Sequence, residues 1–224
     1  MDQRSAPSRL DPGSRGKRRE TAGMALDRTA VVTAALELLD EAGLDKLTMR
    51  KVAERLGVQL NTVYWHASCK PRLLELMAEA MLAGCGDVPL PEPWDERART
   101  LAHRYRSALL SRRDGARVMA GTHVAEEHTL RFADSLIGAF LDGGHTPAEA
   151  GWRTWSLVYF TLGLTQEEQA AGLPGGMDRL LRAVTADRYP ALAETVGHFG
   201  DFDDRFRHGI GLIVSGRGTE GAEG

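Results

Sequence analysis

One stretch, Thr48 to His66, restricts the fold more than any other part of the sequence. Val52, Ala53 and Leu56 face inward from a short helical run that starts at Thr48 and stops at Gly57. Val58 and Val63 carry the apolar contacts into a second run, Gln59 to His66, long enough for two helical turns. Ala53 is small where two helices cross closely, and Gly57 permits the tight turn between them. These are the requirements of a helix-turn-helix, whose second helix must project far enough to enter a groove. A B-DNA major groove, ~12 Å wide, admits one helix, so residues at that helix's start and outer face reach base edges. Here they are Leu60, Asn61, Thr62, Tyr64 and His66. Asn61 reads an adenine or caps the helix, Tyr64 reads a base or bonds a phosphate, and Trp65 is expected as a core anchor. Arg50 and Lys70 flank the unit where phosphates would lie.

The rest of the chain extends the helical pattern. Val32, Ala35, Leu36 and Leu39 form a stripe bounded by Asp27 as N-cap and Gly43 as stop. After Pro71, a residue suited to a first turn, Leu73, Leu74, Met77, Ala78 and Met81 make another. Two glycines and three prolines between Gly84 and Pro93 end that helix and mark a boundary. Beyond it the pattern predicts helices near Asp95–Ser111, around Ala116, and at Glu126–Asp142, Pro147–Thr165, Met177–Ala186 and Asp203–Ser215, with a flexible loop at Gly172–Gly176. No stretch alternates with period two, so the expected fold is all-α. Its expected parts are a disordered basic arm (1–23, with Arg15, Lys17, Arg18 and Arg19) and a three-helix DNA-binding domain with its connecting helix (24–84). A ligand-binding and dimerisation domain (85–216) and a flexible tail (217–224) follow.

Composition excludes several classes. At 42% hydrophobic the chain can bury a core, yet no apolar run approaches the ~20 residues of a membrane helix. The N-terminus has no apolar signal segment, so the expected compartment is the cytoplasm. A net charge of −3 does not exclude DNA, because clustering of Lys and Arg on one face decides that. Two cysteines, Cys69 and Cys85, are too few for a disulfide framework or a four-thiolate zinc site. His123 and His128 are about 140° apart around a helix, unlike a metalloprotease pair, so no metal is expected. Neither a nucleophile elbow with an ordered Ser-His-Asp set nor a glycine-rich phosphate loop is present, and no enzyme activity or cofactor is expected.

The run ALELLDEAGLDKLTMRKVAERLGV (Ala35–Val58), followed by NTVYWHASCK (Asn61–Lys70), resembles the DNA-binding domain of the TetR family, and its YWH resembles the tetracycline-repressor branch. ALLSRRDGARVMAGT (Ala108–Thr122), FTLG (Phe160–Gly163) and Glu167 resemble that branch's ligand domain, so the resemblance spans about Leu26 to Gly216. It implies a homodimeric repressor on palindromic double-stranded operator DNA, released by a small-molecule inducer, with no membrane association. Arg50, Asn61, Thr62, Tyr64, His66 and Lys70 stand at its operator-contacting positions. Leu60 replaces a glutamine that often reads a base, so the operator is expected to differ from tetracycline operators.

In the ligand domain Thr122 and Glu167 match the branch and Tyr105 replaces a phenylalanine. Met119 stands where a metal-binding histidine belongs, and Gly86, Leu101 and Ser135 stand where polar drug contacts belong. A thioether is a poor ligand for a hard cation, so the expected inducer is not magnesium-tetracycline but a larger, largely apolar, polyketide-like compound. An efflux or resistance gene is the expected target; the alternative is an activator or multidrug sensor of the same fold. Trp152, Trp155 and Tyr159 read as packing or dimer contacts, with Tyr159 also a candidate ligand wall. Phe202, Phe206, Gly209 or Ile210, and Ile213 form the side of the last helix expected to meet a second subunit, alongside the helix from Pro147. The helix Pro71–Leu82 is the expected lever between the domains.

Overall fold

The computed structural model describes residues 26–122, 125–172 and 176–216. The expected basic arm and C-terminal tail, His123 and most of the 172–176 loop lie outside the described residues. Among those described are eleven α-helices and two 3-10 turns, with no strand. Helix α1 (Arg28–Ala42) starts where the Asp27 carboxylate accepts the Ala30 N–H at 2.8 Å and stops at Gly43, whose φ is 80°. A 3-10 turn (Leu44–Lys46) leads to α2 (Met49–Leu56), capped by the Thr48 hydroxyl, which accepts the Lys51 N–H. Gly57 then turns left-handed at φ 66° into α3 (Leu60–His66). Val31, Leu39, Val52 and Val63 close the core of this head, and Arg55 ties α2 to Glu37 and Glu41 of α1.

Helix α4 (Lys70–Met81), with Pro71 in its first turn, joins the head to α5 (Trp94–Leu110), α6 (Gly115–Ala120), α7 (Glu127–Asp142), α8 (Pro147–Ala171), α9 (Gly176–Ala183), α10 (Pro190–Thr195) and α11 (Phe202–Ser215). Leu101, Tyr105, Leu109, Leu136, Phe140 and Leu157 are buried where α5, α7 and α8 pack together, each contributing about 1.5–3 kcal/mol by burial. Helix α8 runs through Ala171, further than the expected Thr165. Its added turns are held by Gln169, which accepts the Ala116 N–H and donates to the Leu109 and Arg112 carbonyls. Helix α10 and the turn Val196–His198 were not anticipated; none of their side chains is buried, so they leave no apolar stripe.

The expected dimer side of α11 is corrected by its packing. Phe206 and Ile210 are buried within the subunit, and the Phe206 ring stacks over Phe160 and meets His103 edge-on at 4.9 Å. Gly209 belongs to this contact: a Cβ there would lie 2.1 Å from Phe160 Cζ. Arg106 seals the region by pairing with Glu168 at 2.8 Å and Asp203 at 2.6 Å, joining α5, α8 and α11. The outer side of α11 instead shows Asp204, Arg207, His208 and Leu212. Spacing identifies an apolar side but not the surface that covers it.

Head and body meet at a charged joint. Arg112 pairs with Asp40 at 2.6 Å, Arg117 with Asp45 at 2.8 Å, and the Asp114 carboxylate accepts the Leu44 N–H at 2.8 Å. The hydrogen bond from Arg117 holds the Asp45 carboxyl below its ordinary range, as Arg106 does for Asp203. A carboxyl lowered in the fold stabilises it above its unfolded pKa, about 3.9, and loses that contribution as pH falls through the lowered value. Thermal midpoints measured from pH 6 to pH 3 should therefore drop below about pH 4, less steeply for Asp45→Asn.

Candidate nucleic-acid interface and ligand site

Helix α3 is seven residues long and spends one of them, the fully buried Val63, on the core. Its other side is open: Leu60 and Tyr64 are exposed, as is Asn61, while Thr62 and His66 are half-buried. Gln59 is the N-cap, so Asn61 lies within the helix and does not cap it. Trp65 is no core anchor; it is 88% exposed. It lies about 200° around the helix from Val63, so the geometry that buries one exposes the other. Its ring meets His66 edge-on, and Asn61, Thr62, Trp65 and His66 together line a groove of about 320 Å³. Arg50 projects from α2 with its Nε 3.0 Å from Glu54, and Lys70 opens α4 just after α3.

The candidate ligand residues are distributed less simply. Leu101 and Tyr105 are buried on α5, and the Tyr105 ring stacks on Phe132 of α7 with centroids 5.2 Å apart. Burial pushes the Tyr105 hydroxyl far above its ordinary pKa, so it is a neutral phenol at physiological pH. Met119 and Thr122 adjoin at the end of α6, where the Thr122 hydroxyl donates to the Met119 carbonyl at 3.0 Å, and Ser135 is half-buried on α7. Glu167 is exposed near the end of α8 with its two oxygens 3.0 and 2.8 Å from Arg205. Tyr159 stands apart from the others. At 64% exposure it shares an outer stripe of α8 with Trp152 and Trp155, stacked on the latter, so it walls no cavity within this subunit.

Sequence reasoning missed Phe132 and two threonines of α8, Thr154 and Thr161. Both hydroxyls are buried and, among the described residues, have no hydrogen-bond partner. Their spacing of seven on an otherwise apolar side was the available signal. The two larger clefts described, about 680 and 610 Å³, include none of the candidate ligand residues. The donors do not fit a hard cation: Met119 offers a thioether, Glu167 is engaged by Arg205, and no described group of three His, Cys, Asp or Glu could hold a metal.

A capped two-helix unit with an exposed reading helix, joined by one helix to a larger helical body, defines a helix-turn-helix transcription regulator. The chain belongs to the TetR family: residues 31–77 match the family's bacterial regulatory protein domain, and residues 88–219 match the tetracyclin repressor-like C-terminal domain. It is 36% identical over 200 residues to the class C tetracycline repressor of Escherichia coli, covering 85% of this chain and 90% of that one. A solved possible TetR family transcriptional regulator from Streptomyces coelicolor A3(2) is 42% identical, with a TM-score of 0.80 over 85% of this chain and 98% of that one. The Streptomyces coelicolor TetR family protein ActR, solved in complex with actinorhodin, is 26% identical with a TM-score of 0.74, covering 85% and 96%. The family and these relatives are transcriptional regulators, not enzymes. Regulators of this family bind operator DNA and small molecules, and dimers are typical of it. No described helix is long and apolar enough to cross a membrane.

Proposed function

We propose that this chain is a cytoplasmic, ligand-released repressor that binds a palindromic operator as a homodimer and controls an efflux or resistance gene. The observation that carries the reading is the outer side of α3, where the aromatic Tyr64 and Trp65 are exposed beside the polar, exposed Asn61. Leu60, Thr62 and His66 complete the base-reading set, and Arg50 and Lys70 hold phosphates. The exposed stripe Trp152, Trp155 and Tyr159 on α8, with Leu212 on α11, supplies the apolar surface for a second subunit. A twofold dimer sets two α3 helices about 34 Å apart, one turn of DNA. Footprinting of the DNA upstream of its own gene should reveal one twofold-symmetric site with half-sites a turn apart; an asymmetric footprint contradicts the dimeric reading.

The inducer is a largely apolar, polyketide-like molecule held among Leu101, Tyr105, Met119, Thr122 and Ser135, with Glu167 at the margin. ActR, a TetR family protein of similar structure, is solved in complex with actinorhodin.

The route from this site to α3 runs through α4. Glu79 of α4 caps the first turn of α7: its oxygens accept the His128 N–H at 2.6 Å, the Thr129 N–H at 3.0 Å and the Thr129 hydroxyl at 2.8 Å. Arg72 pairs with Glu75 and with Glu126, which immediately precedes α7. A ligand that displaces the start of α7 therefore drags α4 and the head with it. In Glu79→Ala the ratio of operator Kd with and without inducer should fall about tenfold, within the usual coupling range, while Glu79→Gln retains more of it. An unchanged ratio in Glu79→Ala removes this route.

A further inference from the structure

The cleft of about 680 Å³ lies at the charged joint between head and body, and its residues take no part in the proposed DNA reading or inducer binding. One wall is the end of α1 and the turn after it, including Asp45 and Lys46; the other comes from the α5–α6 corner and the last turns of α8. Such a volume suits a drug-sized ligand, for which about 300–1,000 Å³ is usual. Its charge is unbalanced. Four cationic side chains, Lys46, Arg112, Arg113 and Arg117, face two carboxylates, Asp45 and Asp114.

Arg117 engages both carboxylates, at 2.8 and 3.4 Å, and Arg112 is paired with Asp40 behind the wall. Among the described residues Lys46 forms no ion pair, and the Arg113 guanidinium has only the Glu41 carbonyl, at 3.2 Å. With Asp40 counted, four cations meet three carboxylates, a net excess of one positive charge, and the two cations without a carboxylate are Lys46 of the head and Arg113 of the body, whose guanidinium reaches across to the head's Glu41 carbonyl. Between them Ala42, Leu110 and Ala170 give an apolar lining, and the Gln166 amide adds a neutral polar group.

We propose that this cleft is a second ligand site, separate from the inducer site, for a drug-sized organic anion: a ring system bearing a carboxylate, sulfonate or phosphate. The acid group lies between Lys46 and Arg113, and the ring covers Ala42, Leu110 and Ala170. Because the walls belong to head and body, an occupant sets the spacing between them, so its binding is thermodynamically linked to the orientation of α3.

The test uses the full chain and 1-anilinonaphthalene-8-sulfonate, an apolar ring system with one fixed negative charge, titrated by calorimetry at low salt. The wild-type protein should bind it, and Lys46→Glu and Arg113→Gln should weaken that binding, the charge reversal by about tenfold or more. Lys51→Glu, an exposed charge reversal on α2 outside the cleft, should leave the affinity unchanged. The uncharged analogue N-phenyl-1-naphthylamine should be indifferent to all three substitutions. Circular dichroism melts confirm that the variants fold. Equal affinity for the sulfonate in wild type, Lys46→Glu and Arg113→Gln overturns the proposal, as does absence of binding at millimolar concentration.

Discussion

Replacing Gly115 by alanine should lower the stability of the protein by about 2–3 kcal/mol, near the upper end for an overpacked core. A Cβ at that position would lie 2.2 Å from the Leu109 carbonyl oxygen and 3.0 Å from the Met81 methyl. The first contact is with backbone, so no rotamer change relieves it; α6 has to move away from the end of α5. At about 2–4 °C per kcal/mol for a chain of this size, the melting midpoint should drop by about 4–12 °C. Gly138→Ala is the matched control. Gly138 lies within α7 with open space beside it, so alanine there removes only the glycine's entropic penalty and should stabilise by about 0.5–1 kcal/mol. Similar melting midpoints for the two variants would mean that α6 is not seated as described.

The second large effect is on DNA. Asn61→Ala combined with Tyr64→Ala should weaken operator binding by about a hundredfold or more, since a good base contact carries about 1–3 kcal/mol. The melting midpoint should scarcely change, because both side chains are exposed and substitutions on such surfaces usually stay within about 0.5 kcal/mol. Lys70→Ala makes a different mark: it should weaken binding similarly across DNA sequences and reduce the salt slope by about one. Anisotropy titrations on operator and scrambled DNA at several salt concentrations distinguish the two patterns. A double variant with wild-type affinity would remove α3 from the interface.

What was legible in the sequence was local. Asp27, Gly43, Thr48 and Gly57 bound α1 and α2 because caps and left-handed turns depend on a few adjacent residues. The TetR family was legible for the same reason, through an uninterrupted run of residues around the turn. Trp65 was misjudged because burial depends on what packs against a helix: Val63 of α3 and Ala67 just after it already fill the inward positions, and Trp65 is left outside. The same cause reversed α11, whose apolar side is taken by Phe160, His103 and Arg106 of its own subunit. Thr154 and Thr161 look like ordinary helix residues until the packing of α8 removes their access to water. The joint between head and body pairs residues some seventy positions apart, such as Asp40 with Arg112, which no periodicity encodes.

The central claim, that ligand binding releases this protein from a specific operator, is tested most directly by anisotropy of labelled DNA from upstream of its own gene. The titration is run at two salt concentrations, with and without an aromatic polyketide, and with magnesium-tetracycline as comparison. The account predicts tight, salt-sensitive binding that the polyketide abolishes, with magnesium-tetracycline having little effect. No binding to that DNA or to other palindromic operators at low salt would contradict the claim, and release by magnesium-tetracycline alone would contradict the ligand assignment.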